Sequence, residues 1–235
     1  MKKIVVLSLL FSLGSLWAVG LRAQGELRFG FQVSPVFSWM STDDRLVNGN
    51  GSNLGLKLGV LGEYYFRPNY AIMSGIGFAF NHGGTLFYEN GGEIWTRADL
   101  PSELPNRNLP PGVNLEYNVQ YIEIPLALRL RSNEFGYYRI YVDAPVFTLN
   151  FKTQARGSIQ GSGIDEEKID IRKEVNGLAL SWGLGVGMVY EASASLQLTG
   201  GVAYQRFFTD IVKDSDADDS KNVINSLTLR FGIVF

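Results

Sequence analysis

The sequence predicts an all-β chain, an eight-stranded antiparallel up-and-down transmembrane β-barrel with long outer loops and short periplasmic turns. Three observations carry that prediction. Eight segments alternate large apolar residues with small or polar ones at period two, the spacing of a strand and not of an amphipathic helix. The connections between them alternate long and short. The second face of the segments is mostly Gly, Ala, Ser and Thr with single charges, where the water-facing exterior of a soluble barrel needs long polar side chains.

Taken in order, Leu27–Phe37 sets Leu27, Phe29, Phe31 and Val33 against Arg28, Gly30, Gln32 and Ser34. Leu54–Tyr64 opposes Leu54, Leu56, Leu58 and Val60 to Gly55, Lys57 and Gly59, and Ala71–Asn81 places Ile72, Ile76, Phe78 and Phe80 over small residues. Ile122–Leu130 sets aliphatics against Glu123, Pro125, Ala127 and Arg129, and the segment before it, Leu115–Tyr121, shows its apolar residues on the other parity, which predicts a bulge or a strand extending into its loop. Arg139–Val146 puts Ile140, Val142, Ala144 and Val146 on one face. Beyond Pro145 the apolar parity changes to Phe147, Leu149 and Phe151. Leu178–Tyr190 is the clearest strand: Leu178, Leu180, Trp182, Leu184, Val186, Met188 and Tyr190 face away from Ala179, Ser181, Gly183, Gly185, Gly187 and Val189. Ser195–Tyr204 and Ser226–Phe235 complete the set.

The long connections are Phe37–Asn53, His82–Asn114, Lys152–Asn176 and Thr209–Asn225; the short ones are Tyr65–Asn69, Arg131–Gly136 and Glu191–Ala194. Strict alternation puts every short turn on the periplasmic side and every long loop outside, as transmembrane barrels require. The longest loop can hold its own hairpin, with Thr85–Tyr88 and Glu93–Thr96 flanking Glu89-Asn90-Gly91-Gly92. A hairpin there that crossed the membrane would raise the count to ten strands. Aromatics gather at strand ends, with Tyr64, Tyr65, Phe66, Tyr70, Tyr137, Tyr138 and Tyr190 by the short turns and Trp39, Phe80 and Phe208 by the long loops, as two interfacial girdles would be placed. Phe231 and Phe235 end the last alternating strand in the manner of the terminal signal read by barrel-assembly machinery.

Met1-Lys2-Lys3 followed by the apolar run Ile4–Leu16 and small residues at Ala18-Val19-Gly20 and Ala23 predicts a signal peptide cut after Gly20 or after Ala23, taken as 1–23, and a single barrel domain over 24–235; an uncleaved anchor helix is the other reading. Export through a signal peptide places such a barrel in the outer membrane. The 235 residues hold 27 Gly, 15 Phe, 11 Tyr, 4 Trp and no Cys, so disulfides, Cys-ligated metals and a lipidated N-terminal Cys are excluded. With 21 basic against 23 acidic residues and a net charge of −2, nothing favours nucleic acid as a partner. A mean hydropathy of +0.03 fits a barrel, since only alternate strand residues meet lipid.

The charges on the sparse face, Arg28, Lys57, Glu63, Glu123, Arg129, Arg139, Asp143 and Arg230, are expected to turn into the lumen and neutralise one another as a salt-bridged plug. An eight-stranded interior is too tight for a solute channel. Other chemistry is thinly represented. His82, the one histidine, lies near Asp99, Ser102 and Glu103 in sequence, a set that a rim hydrolase could use, but no motif fixes a base against a nucleophile, and a solvated loop residue is the expectation. Asp214–Asp219 fails the calcium-loop pattern, with Asp219 where Gly and Asn225 where Glu are needed, and reads as an acidic loop. The Lys152–Asn176 loop mixes acids and bases and reads as a solvated surface. No phosphate-cradling loop, zinc spacing or nucleophile elbow is present, so the chain is expected to be non-enzymatic and to hold no cofactor.

Tyr121-Ile122-Glu123-Ile124-Pro125-Leu126-Ala127-Leu128-Arg129 resembles the fourth-strand motif of PorT-type barrels, small outer-membrane proteins of Bacteroidota. The resemblance extends over most of the mature chain as an arrangement of Gly-rich strands with a terminal Phe. It implies an eight-stranded barrel and, for PorT proper, an accessory role in type IX secretion. The Arg-Pro-Asn motif associated with PorT proper near the mature N-terminus is not evident; Arg67-Pro68-Asn69 sits in a turn. The expected partners are outer-membrane lipid, the barrel-assembly machinery and secretion-system proteins that dock on the loops. The alternative readings are a general structural or adhesive surface barrel without a secretion role and a lipid A-modifying enzyme with its site at the rim.

Overall fold

The computed structural model describes residues 25–98, 100, 108–193, 195–213 and 220–235, so the expected signal peptide over 1–23 and the acidic stretch 214–219 lie outside the described residues. The strands are β1 (Glu26–Thr42), β2 (Val47–Gly49), β3 (Ser52–Arg67), β4 (Tyr70–Tyr88), β5 (Gly92–Glu93), β6 (Asn108–Leu109), β7 (Val113–Arg131), β8 (Tyr138–Gly161), β9 (Ile164–Asp170), β10 (Leu178–Ser193), β11 (Leu196–Phe207) and β12 (Asn222–Val234). The eight long strands β1, β3, β4, β7, β8, β10, β11 and β12 pair antiparallel in that order, and β12 returns to β1 through partners such as Phe31 with Ile233. The sheet is closed and has no edge at membrane level, so every strand's amides find partners where no water can reach them. The short β2, β5, β6 and β9 lie in the outer connections.

A single apolar belt runs around the outside. Its outer margin can be followed by strand pairing: Phe37 opposes Leu54, Leu56 opposes Phe80, Phe78 opposes Ile122, Ile122 opposes Phe151, Phe151 opposes Leu178, and Tyr204 opposes Leu227. The side chains on this belt are largely exposed, Leu184, Val186 and Phe231 by about half their surface. Water would not tolerate so continuous an apolar surface on a monomer. At the short-turn end, Phe66 packs on Tyr70 and Tyr138 on Tyr190. Trp39 meets Tyr204 at the other end, so the two girdles are in place.

Inside, the glycine face of β10 has a specific purpose. A Cβ on Gly187 would lie 2.5 Å from the Tyr141 hydroxyl oxygen and closer still to the Gly200 carbonyl, while one on Gly185 would meet Arg230 Nη1 at 2.9 Å. These glycines vacate the volume that two large lumen side chains fill. Gly187→Leu is therefore expected to cost about 1–3 kcal/mol by overpacking, read as an earlier thermal unfolding of the detergent-solubilised barrel.

The strands are longer than the bilayer needs. β7 has 19 residues and β8 has 24, where about 9–11 suffice to cross. The surplus of β4, β7 and β8 rises beyond the belt on the long-loop side, with β2 added to β4 and β9 folded back on β8. Three sequence expectations are corrected here. Thr85–Tyr88 does not form a hairpin with Glu93–Thr96; it continues β4 and pairs with Val113–Glu116, while Gly92–Glu93 pairs with Asn108–Leu109. The Lys152–Asn176 segment is not simply a solvated loop, because it continues β8, forms β9 and buries Ile169, Ile171 and Val175. Of the two readings of the phase change in β7 the bulge is the one corrected: the strand extends into its loop with its odd residues inward from Val113 through Tyr121 to Arg131. The extra residues sit on its neighbours, at Phe80–Asn81 of β4 and Thr153 of β8.

Another irregularity, at Ala144–Pro145 of β8, reverses which face is inward: Tyr141 and Asp143 point in below it, Val146, Thr148 and Asn150 above it. Val146 thus faces the interior, not the apolar face expected for it with Ile140 and Val142. The parity change to Phe147, Leu149 and Phe151 is this bulge.

Candidate functional site

The interior has two storeys with opposite chemistry. At belt level it is polar. Lys57 Nζ, from β3, donates to Glu123 Oε1 of β7 at 2.8 Å and to Gln205 Oε1 of β11 at 2.9 Å. Gln205 Nε2 in turn donates to Thr148 Oγ1 at 2.7 Å, and Asn150 Nδ2 donates to Ser181 Oγ at 3.1 Å. Nearer the short turns, Arg129 grips Asp143 with two parallel bonds, Nε to Oδ1 at 2.7 Å and Nη2 to Oδ2 at 2.8 Å, and pairs with Glu63 through Nη1. Arg230 Nη1 also donates to Asp143 Oδ2 at 2.8 Å. The Arg129 guanidinium lies 4.2 Å from the Tyr141 ring centroid, a cation–π contact in a site screened from bulk water.

The two groups balance. Lys57 offsets Glu123, and Arg129 with Arg230 offset Glu63 with Asp143, so the buried charge sums to zero while each carboxylate keeps at least one charged partner. Between them lies a cavity of about 60 Å³, lined by Lys57, Glu123, Gln205 and Arg230 among others. It has room for a few waters and not for a solute.

Not every expected lumen charge joins this network. Arg28 pairs with Glu26 on its own strand, near the short-turn end. Arg139 does not meet Asp143; it bonds Glu191 at 2.9 Å and Glu134 at 2.9 Å across the turn. Both sit near the short-turn end and pair with carboxylates there. Glu123 and Arg129, on one face of one strand, take different partners. Sequence reasoning missed Gln205, Tyr65 and Arg131; Arg131 stacks its guanidinium 4.8 Å from the Tyr65 ring centroid, and Tyr65, expected in the girdle, is turned inward beside Glu63. At the terminus, Phe235 N donates to the Phe29 carbonyl at 2.7 Å and its ring packs edge-on against Phe31. Phe231 lies on the outer face opposite Val33.

Above the belt the interior turns apolar. Leu115, Tyr117, Val119 and Tyr121 of β7 pack with Leu86, Ile159, Phe207 and Ile224, and residues of the outer connections, Trp95, Leu109, Ile171 and Ile211, close the top. Trp95 Nε1 donates to Tyr117 Oη at 3.0 Å, and its indole occupies space that Gly157 leaves free. The inversion has a plain cause. Outside the bilayer the strands' outer faces meet water, so burying apolar groups inside is favourable there, as in a soluble barrel.

His82 belongs to this storey and is not a solvated rim residue. The extra residue at Phe80–Asn81 turns its ring inward, where it is fully buried edge-on against Tyr121 and Phe207. Neither ring nitrogen has a hydrogen-bond partner among the described residues. Asp99, Ser102 and Glu103 lie outside the described residues.

On the outer surface, Arg172 donates to both Asp170 oxygens, from Nε at 2.9 and 3.0 Å and from Nη2 at 2.5 Å. Those bonds, with the Arg172 amide, hold the Asp170 carboxyl below the usual aspartate range. A lowered folded value means the contact is fully present above the unfolded aspartate pKa and is lost as pH falls through the lower one. The Asp170 carboxyl resonance is expected to titrate below that of an unpaired aspartate, and Arg172→Gln to restore the ordinary midpoint.

The family model of the outer membrane protein beta-barrel domain matches residues 21–213. The chain belongs to that family. Its barrel is accordingly an outer-membrane one. Among solved structures, the Neisserial surface protein A is similar at 14% identity over 88% of this chain and 95% of that one, with a TM-score of 0.45. Ail, the attachment invasion locus protein of Yersinia pestis, is similar at 13% identity over 89% and 99%, with a TM-score of 0.39. The outer membrane protease OmpT from Escherichia coli is similar at 8% identity over 92% and 98%, with a TM-score of 0.38. No curated protein matches the chain at a significant level.

Proposed function

We propose that this outer-membrane barrel is a non-enzymatic, non-conducting anchor that presents its outer sheet extension to partner proteins, in an accessory role in protein secretion of the type IX kind. The interior carries this reading: a neutralised ion network at belt level, with a cavity of about 60 Å³ beside it, and an apolar plug above it fill the lumen. A stoppered lumen transports nothing, which moves the useful surface to the exterior. There the extension of β4, β7, β8 and β9 is a paired sheet held from inside, a rigid platform of the sort recognition needs. The burial of His82 in apolar contacts supports a structural part for that residue. The secretion role itself rests on the likeness of Tyr121–Arg129 to PorT-type strands.

Deleting the gene and comparing exported proteins tests the role. Loss of a defined set of secreted proteins is expected, restored by the wild-type chain and not by one whose Arg156–Asp170 hairpin is replaced by a short turn. An unchanged set of exported proteins would remove the secretion role and leave a structural or adhesive surface barrel.

A further inference from the structure

A cleft of about 230 Å³ opens on the outside of the barrel just above the apolar belt, between the end of β1, the end of β11 and the start of β12. Its charged lining is Arg206, Lys221 and Asp43. Strand pairing fixes its place. Arg206 lies directly between Trp182 of β10 and Asn225 of β12, and Asn225 in turn opposes Trp39 of β1. Along this row Arg206 sits between two outward tryptophans, the residues that mark the headgroup layer.

The polar groups around it are already partnered. Tyr204 Oη donates to Asn225 Oδ1 at 3.1 Å, Asn225 Nδ2 donates to Ser41 Oγ at 2.9 Å, and Asp43 Oδ1 accepts the Lys221 amide at 2.6 Å. The two cations are not: neither Arg206 nor Lys221 is in an ion pair among the described residues. Phe208 lines the cleft just outward of Arg206 and is 43% exposed.

We propose that this cleft binds a phosphate on the sugar headgroup of an outer-leaflet glycolipid. A guanidinium can take two phosphate oxygens at once while the ammonium supplies a point charge. The acyl chains of the same molecule run down the belt below the charges, past Tyr204 and Leu227, so one lipid satisfies both the cleft and the apolar surface beneath it. A free phosphate offers the charge without the apolar half. The site is independent of any secretion role.

The test uses the mature full-length chain refolded in a neutral detergent and titrated with bis-phosphorylated lipid A, with dephosphorylated lipid A and with inorganic phosphate. Calorimetry gives the affinities, and amide shifts at Arg206, Phe208 and Lys221 give the place. The phosphorylated lipid is expected to bind roughly tenfold or more tightly than either other ligand, because bonds to charged groups are the stronger ones. The R206E/K221E double variant is expected to lose that preference, and R206Q/K221Q serves if charge reversal prevents folding. K168E, on β9, is expected to keep it. Equal binding of the dephosphorylated lipid, equal binding of inorganic phosphate, or a preference unchanged in a folded double variant would each overturn the proposal.

Discussion

Arg129→Met is expected to lower the unfolding free energy of the barrel by about 3–5 kcal/mol, the cost of leaving buried charges without their partner. The guanidinium is the hub of the lower network. Its removal takes from Asp143 the bidentate bond and from Glu63 its ion pair, leaving them Arg230 and the Tyr65 hydroxyl respectively. Methionine fills much of the volume, so the loss measures charge and not a void. Equilibrium urea unfolding in phospholipid micelles gives the value. The Lys57–Glu123 pair provides the comparison. Lys57→Met alone strands Glu123 in the lumen, whereas Lys57→Met with Glu123→Gln removes both charges and is expected to recover most of the loss. An Arg129→Met barrel within about 0.5 kcal/mol of wild type would mean that these carboxylates reach water.

The second large effect belongs to the outer face. Val186 sits midway between Trp182 and the girdle residue Tyr190 of β10 with half its surface exposed, and Val186→Arg is expected to cost about 2–4 kcal/mol because the charge lies at mid-bilayer. Gln160, outward on the extension of β8, meets water, so Gln160→Arg is expected to change stability by no more than about 0.5 kcal/mol. The same substitution on the same side of the sheet thus separates lipid from water by height alone. Equal costs at the two positions would place both in one solvent.

Much of this was legible in the sequence, for identifiable reasons. The alternation in Leu178–Tyr190 needs no tertiary information, because large residues on one face and glycine on the other fix strand, parity and crowded interior together. Alternating loop lengths gave the number of strands and their direction. What could not be read is where the surrounding solvent changes. Leu115, Tyr117, Val119 and Tyr121 point to the same side as Glu123 and Arg129, yet their chemistry is opposite because the outer face of β7 leaves lipid for water between them. In sequence this looks like a slip of phase. Single extra residues were the other obstacle, since the one at Phe80–Asn81 turns His82 from the rim into the core and the one at Ala144–Pro145 sends Val146 inward. Pairing of lumen charges depends on neighbours far apart in the chain, so Arg129 could be assigned to the interior but not joined to Glu63.

The chain has no cysteine, so single cysteines can be introduced at positions of β10 that already carry side chains. Spin labels there in a reconstituted bilayer, read by collision with lipid-soluble oxygen and with a water-soluble nickel chelate, test the orientation of the barrel most directly. Labels at Leu184, Val186 and Met188 are predicted to collide strongly with oxygen and hardly with nickel, and those at the inward Ser181 and Val189 with neither. Strong oxygen collision at Ser181 and Val189, or nickel access at Leu184 and Val186, would contradict an oily exterior wrapped around a filled polar interior.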